Sequence, residues 1–164
     1  MNGVITRYVY DNEDILEEYD GSNTLRARWT HGPGIDEPLV MERDLDLNGS
    51  LETQIFYLQD GLGSTTALTD TNGNILEEYE YSAFGLPTIT GPGPDNTFDT
   101  ADDETLTESA YKNPYLFTGR EYDPESGIYF YRARYMDPRT GRFLQEDPFP
   151  GFKHLPQSQN KYPY

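Results

Sequence analysis

Two frames of the same design restrict this chain more than any other feature. Tyr122-Asp123-Pro124-Glu125-Ser126-Gly127-Ile128-Tyr129 and Met136-Asp137-Pro138-Arg139-Thr140-Gly141-Arg142-Phe143 share the pattern D-P-x-[ST]-G-x-aromatic. The Asp side chain can accept from the backbone ahead of it, Pro presets φ at the first turn position, and Gly takes the left-handed position that ends the turn. Each frame is therefore a strand–turn–strand signal, and the residues between the turns, Ile128 to Tyr135, read as one aromatic strand. With 12 Pro and 15 Gly spread along 164 residues, no long helix has room to propagate. Many short strands at regular spacing predict an all-β fold, a twisted and mainly antiparallel sheet of hairpins.

A second repeat supports the same reading. Asn12-Glu13-Asp14-Ile15-Leu16-Glu17-Glu18-Tyr19 and Asn72-Gly73-Asn74-Ile75-Leu76-Glu77-Glu78-Tyr79 share N-x-x-I-L-E-E-Y, and each follows a strand-like run and a turn. Self-similarity of this kind marks a repeat architecture. The apolar content suits a sheet as well. Hydrophobic residues make up 35%, yet there are 14 Tyr and 8 Phe, and rings with a polar tip can pack on one side and stay wet on the other.

Charge and cysteine content remove several function classes. The net charge of −17 opposes nucleic-acid binding, which rests on neutralising phosphates with Lys and Arg, and opposes anionic membrane surfaces. No apolar run reaches the roughly 20 residues of a membrane helix. The absence of cysteine excludes disulfides, thiolate catalysis and zinc–thiolate sites. The start, Met1-Asn2-Gly3-Val4, has no basic stretch leading into an apolar run, so no standard secretory signal is expected in this chain.

The chain divides into strand-forming hairpins over 1–89, an acidic loop over 90–107, a second set of hairpins over 108–150 and an extended tail over 151–164 that packs onto another surface or stays unordered. In the loop, Asp95, Asn96, Asp99, Asp102, Asp103 and Glu104 crowd hard oxygen ligands together, which suits calcium. The EF-hand spacing is not met there, and a solvated acidic loop is the alternative. No other cofactor is called for. The Tyr-rich strands are accounted for by cross-strand packing, with sugar stacking as the sharper alternative. His31 and His154 have no spaced ligand partner.

The stretch Gly119 to Pro148, G-R-E-Y-D-P-E-S-G-I-Y-F-Y-R-A-R-Y-M-D-P-R-T-G-R-F-L-Q-E-D-P, resembles the Rhs repeat-associated core of the Rhs/YD-repeat family. Asn160-Lys161-Tyr162-Pro163-Tyr164, Asp60 to Thr65, Tyr10-Asp11 and Tyr81 to Gly85 resemble further elements of that family. The likeness is weakest from Ile35 to Ser50 and across the acidic loop. It implies a piece of a spiral β-shell that encloses a toxin, related to the C components of Tc toxins and to the teneurin shell, in a secreted or cell-surface bacterial protein. The partners it implies are the remaining shell, or further copies of the chain through open sheet edges, and a toxin cargo in the longer protein. It also implies aspartyl self-cleavage, for which Arg134 and Asp147 match two of the family's positions. A second Asp expected further along is not reached, so this chain is expected not to cut itself, because an aspartyl pair divides one proton between two carboxyls. Three readings follow: a structural end of a shell, half of an aspartyl autoprotease, or a self-assembling or carbohydrate- or partner-binding β module.

Overall fold

The computed structural model describes residues 5–98 and 100–164. Residues 1–4, read above for a secretory signal, and Asp99, one of the candidate ligands, lie outside them. The chain is all-β, in two antiparallel sheets. The first is a nine-stranded meander in sequence order: β1 (Thr6–Asp11), β2 (Asp14–Asp20), β3 (Leu25–His31), β4 (Pro38–Arg43), β5 (Thr53–Gln59), β6 (Thr65–Thr69), β7 (Ile75–Tyr81), β8 (Pro87–Gly91) and β9 (Glu104–Leu106). The second contains β10 (Glu121–Asp123), β11 (Ile128–Tyr131), β12 (Arg134–Asp137) and β13 (Arg142–Phe143). Neither sheet closes on itself, so β1 and β9 are edge strands.

One turn device recurs. At Asp20, Asp60 and Asp70 the side-chain Oδ1 accepts from the backbone N–H two and four residues on, at 2.8 to 3.0 Å. The fourth residue of each turn, Asn23, Gly63 or Gly73, has φ between 63 and 83°, which Asn and Gly tolerate best. The two D-P turns use the same chemistry. Asp123 and Asp137 accept from Glu125 and Arg139 N–H at 3.0 Å, and Gly127 and Gly141 sit at φ 71 and 63°.

The stretch Ile128 to Tyr135 corrects the expectation of one strand. It folds into a two-residue hairpin in which Tyr131 pairs with Arg134, and Arg132 takes φ 61°. No Gly or Asn announces this turn. Tertiary ion pairs hold Arg132 there instead: its guanidinium meets Glu13 and, at 2.9 Å, Asp36 of the β3–β4 loop. A positive φ at the first central residue matches the right-handed twist of the flanking strands.

The core lies on one face of the large sheet. Ile15, Ala27, Trp29, Met41, Ile55, Tyr57, Leu68, Tyr79 and Ile89 are buried there, beneath Tyr115, Leu116 and Phe117 of the β9–β10 connection and beneath Tyr129, Met136 and Phe143 of the small sheet. The stretch from Glu108 to Gly119 thus lies across the large sheet and carries the small sheet on it. No helix among the described residues is long and apolar enough to cross a membrane.

Candidate functional site

The segment that crosses the sheet is held by a buried polar chain. Trp29 Nε1 donates to the Tyr57 hydroxyl (3.1 Å), which donates to Asn113 Oδ1 (2.9 Å). Asn113 Nδ2 donates to the Tyr79 hydroxyl (3.3 Å) and to the Tyr115 carbonyl (3.1 Å), and its Oδ1 also accepts from Tyr115 N–H (2.9 Å). All four hydrogen-bonding positions of this amide are therefore used. Tyr79 in turn donates to Glu77, which also accepts from Ser109 Oγ (2.7 Å) and Ala110 N–H (2.6 Å). Burial pushes the Glu77 carboxyl up from its ordinary range, although these donors pull it down. Further along, Thr65 bonds Tyr115 and Leu116 through its hydroxyl (2.7 Å) and N–H (3.1 Å), and Ile15 N–H donates to the Tyr115 hydroxyl (3.0 Å).

The two residues singled out for self-cleavage come together. Arg134 opens β12, and Asp147 follows β13. Arg134 Nη1 lies 3.3 Å from Asp147 Oδ2, close enough for an ion pair but not aligned as a hydrogen bond. The guanidinium carbon stands 3.6 Å over the Phe143 ring, a cation–π contact that fixes its plane. Asp147 Oδ1 accepts from Phe149 N–H (2.8 Å), and Asp147 N–H donates to the Lys161 carbonyl (2.8 Å). Among the described residues, no second carboxyl shares a hydrogen bond with Asp147.

The tail, read from sequence as docked or unordered, folds back onto this site. Phe143 N–H donates to the Tyr162 carbonyl (3.2 Å), and Pro163 bridges Arg142. Tyr164 packs against Phe117, Tyr131 and Phe143 and bonds the Tyr131 hydroxyl at 3.0 Å. The segment from Asn160 to Tyr164 therefore runs beside the chain that carries Asp147.

In the acidic loop, Asp102 is taken up internally. Its carboxylate accepts from Thr100 Oγ1 (2.6 Å) and Asp95 N–H (3.3 Å), and the Thr100 bond holds it below the usual carboxylate range. Thr100 Oγ1 also reaches Asp103 Oδ1 at 3.3 Å. Asn96 sits in a turn at φ 54°, and Glu104 belongs to β9, paired with Gly91. Asp44, Asp46 and Glu52 in the β4–β5 loop bring carboxylate oxygens within 4.8 Å of one another. Sequence reasoning passed over them, although Asp44-x-Asp46-x-Asn48-Gly49 has the spacing that opens a calcium loop. Asp44 is already engaged by the Arg26 guanidinium and by Asn48 and Gly49 N–H. Burial, with Asp46 and Asp44 nearby, raises the Glu52 carboxyl.

The two histidines are apart. His31 Nε2 lies 2.9 Å from the Ile15 carbonyl with its ring edge-on to Tyr115, and His154 packs on Phe152. The Tyr-rich strands place rings in pairs, Tyr122 with Tyr129 at 4.9 Å and Phe130 with Tyr135 at 5.3 Å between centroids.

No protein-family model matches the chain. The chain is 34% identical over its whole length to the tRNA3(Ser)-specific nuclease WapA of Bacillus spizizenii and 33% identical to the tRNA nuclease WapA of Bacillus subtilis, and it spans 6% of the length of each. Among solved structures it matches the TcdB2-TccC3-Cdc42 crystal structure with a TM-score of 0.60 and 20% identity, over 90% of this chain and 6% of that one. The TcdB2-TccC3 crystal structure matches with a TM-score of 0.52 and 15% identity, over 99% and 10%. The fold is thus that of Rhs/Tc toxin shell structures, and the sequence is related, at this coarse level, to Rhs-type toxins.

Proposed function

We propose that this chain is a structural segment of an Rhs-type toxin-encapsulating shell, with Gly119 to Pro148 as its repeat-associated core. The observation that carries the reading is the open nine-stranded meander, lined on one face by its own downstream segment, which matches shell structures along 90 to 99% of its length. The nuclease activity in the WapA names belongs to proteins of which this chain spans 6%, and a net charge of −17 opposes RNA binding by the segment itself. The proposed partners are the adjoining shell and, in the longer protein, a toxin cargo, in a secreted or cell-surface setting.

The test is hydrogen exchange on this chain alone and within its longer polypeptide. Protection, only in the longer protein, of the β1 amides that point away from β2 is the expected result, because an edge strand gains partners when the sheet continues. Equal, rapid exchange of these outward amides in both would end the shell reading.

A second reading, part of an aspartyl autoprotease, is favoured by the Arg134–Asp147 contact. Intact mass of the longer polypeptide decides it. Cleavage in the wild type and none in Asp147→Asn supports it, and two uncut proteins remove it.

A further inference from the structure

Between β1 and β2 of the large sheet and the small sheet lies a cleft of about 470 Å³. Four carboxylates line it, and three are already matched. Glu18 is held by both Nη atoms of Arg43 at 3.1 and 3.2 Å. Glu108 is paired with Lys112 at 2.6 Å, and Asp123 accepts from Glu125 N–H and Ser126 Oγ of its own turn. Glu121 alone has neither a hydrogen bond nor an ion pair among the described residues. Arg120 and Arg132 line a small recess on its other side, but Asp36 takes both, at 3.0 and 2.9 Å.

Rings extend away from this carboxylate in a row. Glu121 pairs with Phe130 across β10 and β11, and Phe130 pairs with Tyr135 across β11 and β12. The Phe130 and Tyr135 rings stand 5.3 Å apart, and Tyr8 and Tyr122 also line the cleft. Directly opposed residues have Cβ atoms about 5 Å apart, so the row from carboxylate to second ring is about 10 Å long. That suits a flexible apolar stem with a cationic head better than a compact ion. Ring faces attract cations, and a half-buried carboxylate without a partner does so more strongly.

We propose that this cleft binds a basic side chain, lysine or arginine, of a peptide segment, with the cationic head on Glu121 and the stem along Phe130 and Tyr135. The charge supports this occupant, since the cleft's one unmatched charged group among the described residues is an anion and the whole chain is strongly acidic. Burial, with Asp36 and Asp14 nearby, raises Glu121 to about 7. Tyr8, Tyr10 and Tyr115 also feel its charge, and Glu18, Arg43, Glu13, Arg120 and Arg132 stand around it. The cation therefore competes with a proton.

The experiment is an NMR titration of the whole chain with N-acetyl-arginine-N-methylamide and with the neutral norleucine analogue. Expected are shifts at Tyr8, Tyr122, Phe130 and Tyr135 with the arginine probe and not with the neutral one, and binding about tenfold tighter at pH 8 than at pH 6. Glu121→Gln is expected to keep the fold and lose at least about tenfold in affinity. Tyr135→Ala, at a half-exposed wall, is expected to weaken binding as well and serves if the first variant does not fold. Equal binding of the neutral probe, no pH dependence, wild-type affinity in Glu121→Gln, or shifts elsewhere would overturn the proposal. Tetramethylammonium binding as tightly as the arginine probe would overturn the assignment to a side chain.

Discussion

At the residue scale, a buried acid, Glu77, and a half-buried one, Glu121, have opposite relations to their surroundings. Glu77 is fully enclosed and has three donors. Glu77→Ala would take the carboxylate acceptor from the buried Tyr79 and Ser109 hydroxyls and from the Ala110 N–H, and each buried donor left unpaired costs about 1–3 kcal/mol. The variant is expected to lose about 3 kcal/mol or more, measured by urea unfolding. Glu121 has no donor, and its folded-state value of about 7 lies above the ordinary 4.5. Its contribution to stability is therefore fully present below about pH 4.5 and is lost as the pH rises through about 7. Glu121→Gln should raise the unfolding midpoint at about pH 8 and leave it unchanged at about pH 4, and equal effects at both would contradict this account. Neither carboxyl was distinguishable in sequence from its neighbours, because both sit in ordinary acidic strand patterns and differ only in what tertiary packing brings to them.

At the element scale, the segment from Glu108 to Gly119 is the piece that sequence reading assigned to hairpins and that the structure uses as a strap. It has little regular structure, yet Ser109, Asn113, Tyr115, Leu116 and Phe117 are all buried. Its backbone passes so close to the β3–β4 loop that a Cβ at Gly119 would collide with the Asp36 carbonyl oxygen. Asn113 is the joint between strap and sheet. Asn113→Ala is expected to destabilise the protein by about 2–3 kcal/mol, because Tyr57 and Tyr115 each lose a buried partner. Thermal unfolding would show it, and a loss near zero would mean that water replaces the amide. The D-P turns were legible because their chemistry is local. The β11–β12 turn was not, since its positive φ at Arg132 is maintained by Glu13 and Asp36, which are remote in sequence.

At the scale of the whole molecule, the large sheet ends in a strand with one open edge. Tyr8, Val9 and Tyr10 of β1, and Ile5 just before it, are exposed, and an open edge of this kind is a template for another strand. The isolated chain is expected to self-associate as concentration rises, by light scattering, and Val9→Lys should shift the association to higher concentration, since a charge on an edge strand opposes pairing. A monomer at every concentration would show that β1 is blocked in solution. At the other end, β9 has only three residues, which limits what it can recruit. The all-β class, the antiparallel hairpins and most turns were readable from the repeats, and so was the likeness to the shell family. The position of the tail was not, as its strand-like return depends on pairing with Phe143 and Asp147 rather than on any pattern of its own.

The twin N-x-x-I-L-E-E-Y stretches separate what sequence decides from what tertiary structure decides. Both form the second strand of a hairpin with the same cross-strand pairing: Glu17 and Glu18 oppose Val9 and Tyr8, as Glu77 and Glu78 oppose Leu68 and Ala67. In both, the Tyr hydroxyl bonds the Glu two residues before it. Local sequence thus determined strand, turn and hairpin register. Yet Glu77 and Tyr79 are buried under the strap, while Glu17 and Tyr19 lie on the wetter face and Glu18 turns inward to Arg43. A strand has two faces related by a one-residue step, and bulges between successive strands shift that step. Which face becomes core was set by those bulges and by the segment that came to lie across the sheet, and no residue within the repeat encodes it.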